Sequence, residues 1–370
     1  MSHMIDHSKG RAAFAFSGEP AWHRLGTQLL PTDTHEEQLQ KAGLDYTVYE
    51  AETMFRRLLK RGATADQDEF EIVPFDGKKT LYRSDTGAPL SIMSDGYHPV
   101  QPRQIFALYQ EIARATGFTL ETAGGLDDGK RIWCLLRVSD GADIVNRDRV
   151  RPYILLATSY DGTMATIAKF TAIRVVCHNT ISMSVGYFNA RTGQMEGGER
   201  DETAPGREQV VRVLHSTKWT DEVAKNVRMT LGIAADAFER FTIEARALAG
   251  ITMTDEQADE FVRELLEPYF AGPSKKPNAR VKDIRDTKGY RRIMALFGGE
   301  AAGSELVGKD RWAMLNAVTQ FVDHERGLTD SSRVDQAWFG RGNEMKNRAF
   351  ALLRRREPRM RVVEAEEMAA

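Results

Sequence analysis

Tyr153-Ile154-Leu155-Leu156-Ala157-Thr158-Ser159 is an apolar run that leads into Asp161-Gly162, a turn signal, and then into a second run from Thr163 through Val176. The stretch from Phe118 to Val138 repeats this arrangement, because strand-like residues flank Asp127-Asp128-Gly129. Both stretches contain apolar runs rather than clean alternation, which is typical of a sheet buried on much of both faces. Two successive hairpins therefore predict an antiparallel sheet at the centre of the fold.

Before these hairpins the sequence predicts a small meander and a helix. Residues 46 to 95 hold short strand-like runs separated by turn formers such as Ser84-Asp85-Thr86-Gly87. Pro102 suits the first turn of a helix, apolar residues recur at helical spacing as far as about Thr116, and Gly117 suits its end. Thr34 followed by acidic residues predicts a further short helix near the amino terminus.

After the hairpins the pattern becomes helical. Apolar residues from Val210 to Phe238 are spaced for one long or two shorter amphipathic helices. Further helices are predicted from Thr254, over Arg311 to Glu325, and over Asn343 to Arg356. The predicted fold class is α+β, with an antiparallel hairpin sheet packed with helices and followed by a helical C-terminal region.

Four regions follow from this pattern. Residues 1–50 are predicted to form an N-terminal arm, 51–200 an α+β core with β-hairpins, 201–361 a helical region with a basic segment, and 362–370 an acidic tail. No apolar run approaches the length of a membrane-spanning helix, and the first residues lack the profile of a signal peptide. The two cysteines cannot form a disulfide framework, so we expect the cytoplasm of the host cell and no membrane partner.

Charge is distributed unevenly along the chain. Residues 201–270 carry 8 basic and 14 acidic side chains, whereas residues 271–361 carry 20 basic and 11 acidic ones. A basic block beside an acidic one indicates a polyanion-binding face or a contact with the acidic segment of a neighbouring subunit. A solvated helical face explains the pattern equally well.

Motifs that would indicate catalysis or a cofactor are missing from the sequence. There is no phosphate-binding loop, no dinucleotide fingerprint, no His-Glu-x-x-His, no Cys-x-x-Cys and no nucleophile elbow. Cys177 and His178 are adjacent and could form a thiolate pair, but neighbours along a strand point to opposite faces. A buried cysteine in a core strand is the favoured interpretation, so we expect no enzyme activity, no cofactor and no metal.

Several spaced motifs resemble the phage/plasmid-like proteins that carry domain of unknown function 932. They occur in one order over most of the chain, from about residue 20 to 350: Ala21-Trp22-His23-Arg24-Leu25-Gly26-Thr27, Asp95-Gly96-Tyr97-His98-Pro99-Val100-Gln101, Glu121-Thr122-Ala123-Gly124-Gly125-Leu126, Arg174-Val175-Val176-Cys177-His178-Asn179-Thr180, Ala317 to Arg326, and Trp338-Phe339-Gly340. The family has no settled activity to carry over. The resemblance implies a gene of a phage or mobile plasmid, often near replication or recombination functions.

The predicted order of hairpins and helices also resembles the strand-and-helix core of the single-strand annealing proteins. That likeness implies a single-stranded DNA-binding protein that anneals complementary strands without ATP, acts as a homo-oligomeric ring or filament, and works beside a phage or plasmid replication or recombination protein. Annealing requires cations along the phosphate backbone and no catalytic group.

The candidate nucleic-acid-binding residues are the cations of the two hairpins and of the segment after Gly272, with Tyr290 available for stacking. They are Lys130, Arg131, Lys169, Arg174, Lys275, Lys276, Arg280, Lys282, Arg285, Lys288, Arg291 and Arg292. Ion pairs at strand edges are the alternative for Arg131 and Arg174, and a solvated loop is the alternative for Lys275 to Arg292. Tryptophans 22, 133, 312 and 338 favour core anchoring over base stacking.

Two other functions remain open. The first is a non-enzymatic interaction protein of a mobile element, such as an inhibitor or decoy of a host defence system, in which the basic block meets another protein. The second is an enzyme that uses Cys177, His178 or a carboxylate pair on nucleic acid.

Overall fold

The structure is a computed structural model, and it describes the greater part of the chain. The described residues are 5–18, 25–61, 68–174, 179–182, 186–189, 194–196, 209–223, 225, 234–270, 283–326 and 341–355.

The main sheet contains eleven strands and is built around the two predicted hairpins. Its strands are β1 Phe14–Phe16, β2 Thr27–Gln28, β6 Thr119–Leu126, β7 Arg131–Arg137, β8 Ala142–Asp143, β9 Arg149–Ser159, β10 Thr166–Arg174, β11 Asn179–Ser182, β12 Gly186–Asn189, β13 Gln194–Glu196 and β14 Gln209–Val213. The strand order is β13-β12-β14-β10-β9-β7-β6-β1-β2, while β11 pairs with β10 and β8 pairs with β9. Most pairs are antiparallel, and the pairs β1–β2 and β12–β14 are parallel.

A separate three-stranded antiparallel meander precedes the hairpins. It consists of β3 Val48–Lys60, β4 Glu69–Arg83 and β5 Pro89–Ser94, in the order β3-β4-β5. Its base is anchored in the body of the protein, because Val48, Leu81 and Leu90 are buried. Beyond Thr53 the two long strands extend away from the core, and we call the three strands together the β-arm.

Seven helices complete the described fold. They are α1 His35–Lys41, α2 Pro102–Thr116, α3 Ala234–Ala249, α4 Asp255–Phe270, α5 Lys288–Ala295, α6 Arg311–Gln320 and α7 Arg341–Arg355. Single π-helical turns extend α5 over Leu296–Glu300 and α6 over Phe321–Glu325. Short 3₁₀ turns cover Ile284–Asp286 and Ser304–Leu306.

One hydrophobic cluster runs from the sheet into the helical region. Ile105, Phe106 and Ile112 of α2 belong to the same cluster as Leu136 of β7 and Leu156 of β9. Helices α3 to α7 contribute to it as well, and the fully buried Trp312 is its largest side chain. The helices are therefore joined to the sheet by a shared core.

Most local predictions are confirmed. The helix after Pro102 ends at Gly117, which has a φ of 75° in the left-handed region that glycine adopts without strain. Thr34 caps α1 in a capping box with Glu37, and Thr254 caps α4 with Gln257. The predicted α+β class, with a hairpin sheet and a helical C-terminal region, is the observed class.

Two details differ from the prediction. The valines of Gln209–Val213 form strand β14 rather than a helix, because they pair with β10 and β12 of the main sheet. The boundary placed between residues 50 and 51 falls inside β3, and β1 of the expected N-terminal arm pairs with β6. Both differences arise from strand pairing with residues that are distant in the sequence.

Candidate nucleic-acid interface

Helix α5 carries the described part of the most basic segment of the chain. Its start is fixed by Thr287, whose side chain accepts a hydrogen bond from the backbone N–H of Tyr290. One face of the helix is anchored, because Ile293 is fully buried in the hydrophobic cluster. The opposite face is therefore held at the surface in a fixed orientation.

The exposed face of α5 presents two cations. Lys288 and Arg291 are three residues apart, so they lie side by side on the helix, and both are exposed. With Arg292 they line one shallow depression. Arg291 donates one hydrogen bond to the backbone carbonyl of Asp286. Within the described part of the chain neither Arg291 nor Lys288 takes part in an ion pair, so the charge of each remains available to an anion.

The other two cations near α5 are neutralised by acidic residues. Arg285 donates two hydrogen bonds of 2.7 Å to the carboxylate of Asp259. Arg292 pairs with Glu325 and Glu300. Because Asp259 lies on α4, the acidic helix neutralises part of the basic block within the same chain.

The pKa of the Asp259 carboxyl reflects its contact with Arg285. The Arg285 guanidinium, together with the Tyr290 hydroxyl, holds the pKa of Asp259 well below its usual range. The Tyr290 hydroxyl donates its hydrogen bond to the Asp259 carboxylate. The ring of Tyr290 is part-buried against the hydrophobic cluster, so the structure favours an anchoring role over base stacking.

Two of the hairpin cations lie in the interior, which corrects the prediction that they contact nucleic acid. Arg174 has no exposed surface; its Nε donates to Asp148 at 2.7 Å and its two terminal nitrogens donate to the carbonyls of Ala302 and Gly303. Lys169 is 4% exposed, and its Nζ lies 3.4 Å from Asn343 Oδ1. Neither side chain can contact a polynucleotide, because each is covered by the helical region.

The cations of the first hairpin are nearer the surface but have acidic neighbours. Lys130 Nζ lies 3.6 Å from Asp127 Oδ2, and its side chain is 33% exposed. Arg131 lies 3.6 Å from Asp161, and its side chain is 11% exposed. The ion-pair alternative is thus observed for Arg131 and Arg174.

Other candidates fall outside the described residues. These are Lys275, Lys276, Arg280 and Lys282 of the basic segment, the pair Cys177 and His178, and the tryptophans Trp22 and Trp338. Of the remaining tryptophans, Trp312 is fully buried and Trp133 packs against Phe14 with ring centroids 5.7 Å apart. Both are core anchors, as predicted.

Residues of the motif around Tyr97 join the β-arm to the main sheet. The Tyr97 hydroxyl donates to the carbonyl of Ser159 at 2.6 Å, and its ring stacks on His215 with centroids 4.3 Å apart. The side-chain amide of Gln101 bonds both the N–H and the carbonyl of Val48, at 2.8 and 3.0 Å. These contacts give the motif a structural role at the base of the arm.

The described residues contain no group of three or more acidic, histidine or cysteine side chains that could hold a metal ion. Burial raises the pKa of the Cys134 thiol, which disfavours the reactive thiolate form. No helix among the described residues has both the length and the apolar character needed to cross a membrane.

The surface that sequence reasoning missed is the β-arm. The exposed side chains of its long strands include Phe55, Leu58, Phe70 and Ile72, so apolar groups face solvent on both sides of a two-stranded ribbon. The signal in the sequence was the run Met54-Phe55-Arg56-Arg57-Leu58-Leu59, which does not alternate and thus has no single buried face.

The fold and the site define a mixed α+β protein with a basic surface helix and an exposed apolar arm. The chain belongs to the family described as domain of unknown function DUF932, whose sequence profile matches residues 89–195 and 202–357. No curated protein and no solved structure matches the chain. The likeness to single-strand annealing proteins therefore stays a prediction.

Proposed function

We propose that the protein is a non-enzymatic, single-stranded DNA-binding protein that anneals complementary strands. The observation that carries the proposal is the exposed face of α5, where Lys288 and Arg291 stand side by side without an acidic partner among the described residues. They belong to the stretch from Lys275 to Arg292, which contains eight basic residues and two acidic ones. Such a stretch attracts the phosphate backbone through counterion release.

The arrangement suits a polynucleotide better than a small anion. The depression is shallow and has three cationic side chains as its lining, so it offers charge without an enclosing pocket. A single strand needs cations spaced along its backbone and bases left free to pair. The remaining contacts in this proposal come from the basic residues that precede α5 in the sequence.

The test is binding of a labelled single strand to the full-length protein at increasing salt, measured by fluorescence anisotropy. The double substitution Lys288→Ala with Arg291→Ala removes two backbone contacts. Because each contact to a single strand contributes about 0.7 to the slope of log affinity against log salt, the slope should fall by about 1.4. Annealing of complementary strands without nucleotide should slow in parallel.

The matched control removes two exposed cations elsewhere. Arg103 pairs with Glu36 and Lys309 pairs with Asp255, so Arg103→Ala with Lys309→Ala makes the same change in net charge. This control should retain the wild-type slope. Absence of binding at low salt, or an equal loss in both double variants, would overturn the proposal.

A second candidate is the non-enzymatic interaction protein of a mobile element. The observation that favours it is the apolar surface of the β-arm, because exposed apolar patches mark protein contacts more often than nucleic-acid contacts. Retention of a host protein by the full-length chain after nuclease treatment, together with no affinity for single strands, would favour this candidate over the first.

A further inference from the structure

The exposed apolar side chains of the described chain are concentrated on the β-arm. Of the twelve large hydrophobic residues that are exposed, nine lie on β3, β4 and β5. Five of these nine are on β3 alone: Tyr49, Met54, Phe55, Leu58 and Leu59. Strand β3 therefore carries more exposed apolar side chains than β4 or β5.

Strand β3 is an edge strand with a long unpaired side. It pairs with β4 over Val48–Lys60, and no strand of the described chain pairs with its other side. The strand contains no proline, which is one of the devices that proteins use to prevent edge-to-edge pairing. A two-stranded ribbon of this kind is also marginal by itself in water, so an additional strand would stabilise it.

The charges of β3 are segregated along its length. Glu50 and Glu52 lie in its first half, whereas Arg56, Arg57 and Lys60 lie in its second half. A parallel partner of the same sequence would place like charges together. An antiparallel partner of the same sequence brings the acidic half of each strand beside the basic half of the other.

One antiparallel register places opposite charges beside each other and also brings apolar side chains together. Alternate residues share a face, and the shift in pairing between Glu52 and Met54 places the extra residues on β4, so the spacing on β3 sets Glu52, Met54 and Arg56 on one side of the strand. A twofold axis at Met54 sets Glu52 opposite Arg56 of a second copy and sets the two Met54 side chains together. The same register sets Tyr49 opposite Leu59.

We propose that the β-arm is a self-association element, in which β3 pairs antiparallel with β3 of a second copy of this chain across a twofold axis at Met54. The two three-stranded sheets then form one six-stranded sheet, and the interface is isologous. Each of the five exposed apolar side chains of β3 gains a neighbour on the second copy. This inference is independent of nucleic-acid binding by α5.

The mixed charge of the arm favours a protein partner over a polyanion or a lipid surface. Arg57 pairs with Glu71 and Lys79 pairs with Glu50 within the arm, so part of its positive charge is already neutralised. Arg56 lies over the ring of Phe70, 4.0 Å from its centroid, and is held on the face that carries Met54. This cation is thereby positioned beside the acidic residue of the second copy.

Sedimentation velocity of the full-length protein at micromolar concentrations tests the pairing. Glu52→Lys and Arg56→Glu each place like charges opposite one another, and the twofold axis repeats each change. Each single variant should therefore raise the dissociation constant about tenfold or more, whereas the double variant restores opposite charges and should lie within about threefold of the wild type. All the substituted side chains are exposed, so circular dichroism should be unchanged.

Glu69→Lys is the matched control, since it makes the same change in charge on β4 of the same arm. It should leave the dissociation constant within a small factor of the wild type. The proposal would be overturned if the wild type is a monomer at the highest concentration, or if neither single variant changes the dissociation constant of the oligomer. It would also be overturned if the double variant associates as weakly as the single variants. Dissociation by added single strands or by lipid vesicles would identify a different occupant and would overturn it as well.

Discussion

Asp148 is a fully buried carboxylate that joins parts of the chain that are far apart in the sequence. It accepts a hydrogen bond from Arg174 Nε at 2.7 Å and another from Trp312 Nε1 at 2.8 Å. Arg174 in turn donates to the carbonyls of Ala302 and Gly303. A single carboxylate thus holds a strand end, a helix and a loop in one arrangement, while it compensates a fully buried guanidinium.

Asp148→Asn should be strongly destabilising. The amide keeps the shape of the side chain but removes the charge that Asp148 places against the buried Arg174 guanidinium, and breaking a buried ion pair costs about 3–5 kcal/mol. Urea denaturation monitored by tryptophan fluorescence measures the loss. Asp143→Asn is the control, because its partner Arg149 is half exposed and such pairs contribute at most about 1 kcal/mol. Similar losses in the two variants would contradict this account.

The buried position of Arg174 shows why the candidate nucleic-acid-binding residues could be predicted only in part. A cation on a strand next to a motif is equally compatible with a phosphate contact and with an internal ion pair. The deciding partner, Asp148, is 26 residues away along the chain, and the carbonyl of Ala302 is 128 residues away. Neither proximity can be read from spacing, and the helix Lys288–Ala295, which holds Lys288 and Arg291 at the surface, was not among the predicted helices.

At the scale of elements, local chemistry explains what could be predicted. The turn at Asp127-Asp128-Gly129 and the glycine after α2 require backbone conformations that few residues adopt. The turn and the end of the helix can therefore be recognised from the residue types in the sequence. Strand β14 had no such signal, because Val210 and Val211 are compatible with a helix until pairing with β10 and β12 is known. The length of β3 and β4 was missed because their distal apolar residues have no core to face.

The β-arm should be removable without loss of the fold. Replacing residues 53–78 by Asn-Gly joins Glu52 to Lys79, which are directly paired, through a two-residue hairpin turn. Thr53 is the only described residue of that segment that is buried, and it bonds Thr80. The free energy of unfolding, measured at low protein concentration, should therefore change by about 1 kcal/mol or less.

The contrasting variant is at the base of the same arm. Leu81 has no exposed surface and belongs to the central hydrophobic cluster, so Leu81→Ala should cost about 2–5 kcal/mol. If removal of the distal arm is as damaging as this single core substitution, the arm is part of the folding unit rather than an appended element.

At the scale of the whole molecule, the acidic and basic segments that are separate in the sequence contact each other in the fold. The acidic helix α4 lies against the basic segment of α5, and Asp259 bonds both Arg263 and Arg285. Neutralisation of the basic block by the acidic one therefore occurs within one chain. Arg285 is paired although its side chain is half exposed, whereas the exposed Lys288 and Arg291 have no acidic partner among the described residues.

Buried lysine side chains lie where the main sheet contacts the helical region. Lys169 and Lys346 are both buried, and Lys346 Nζ pairs with Asp323 Oδ1 at 2.7 Å. Burial, together with the nearby Lys346 ammonium and opposed by Asp323, lowers the pKa of Lys169 to about 7. The folded protein thus releases a proton from Lys169 at a pH where the unfolded chain keeps it.

The sign of the pH dependence follows from this release. Between about pH 7 and the ordinary lysine pKa of 10.5, the unfolded state binds a proton that the folded state does not, so the free energy of unfolding rises with pH. Below about pH 7 the full cost of burying the charged ammonium is present. Lys169→Met removes this group, so the variant should exceed the wild type in stability by about 1–4 kcal/mol at about pH 6.

Chemical denaturation of the two proteins across that pH range tests the prediction. The advantage of Lys169→Met should shrink steadily as the pH rises from about 7 towards 9.5, because each unit of pKa shift represents about 1.4 kcal/mol of pH-dependent stability. Lys309→Met, at an exposed lysine paired with Asp255, should show no such trend. A difference between Lys169→Met and the wild type that stays constant with pH would mean that Lys169 titrates normally in the folded protein, and its burial would then carry no electrostatic cost.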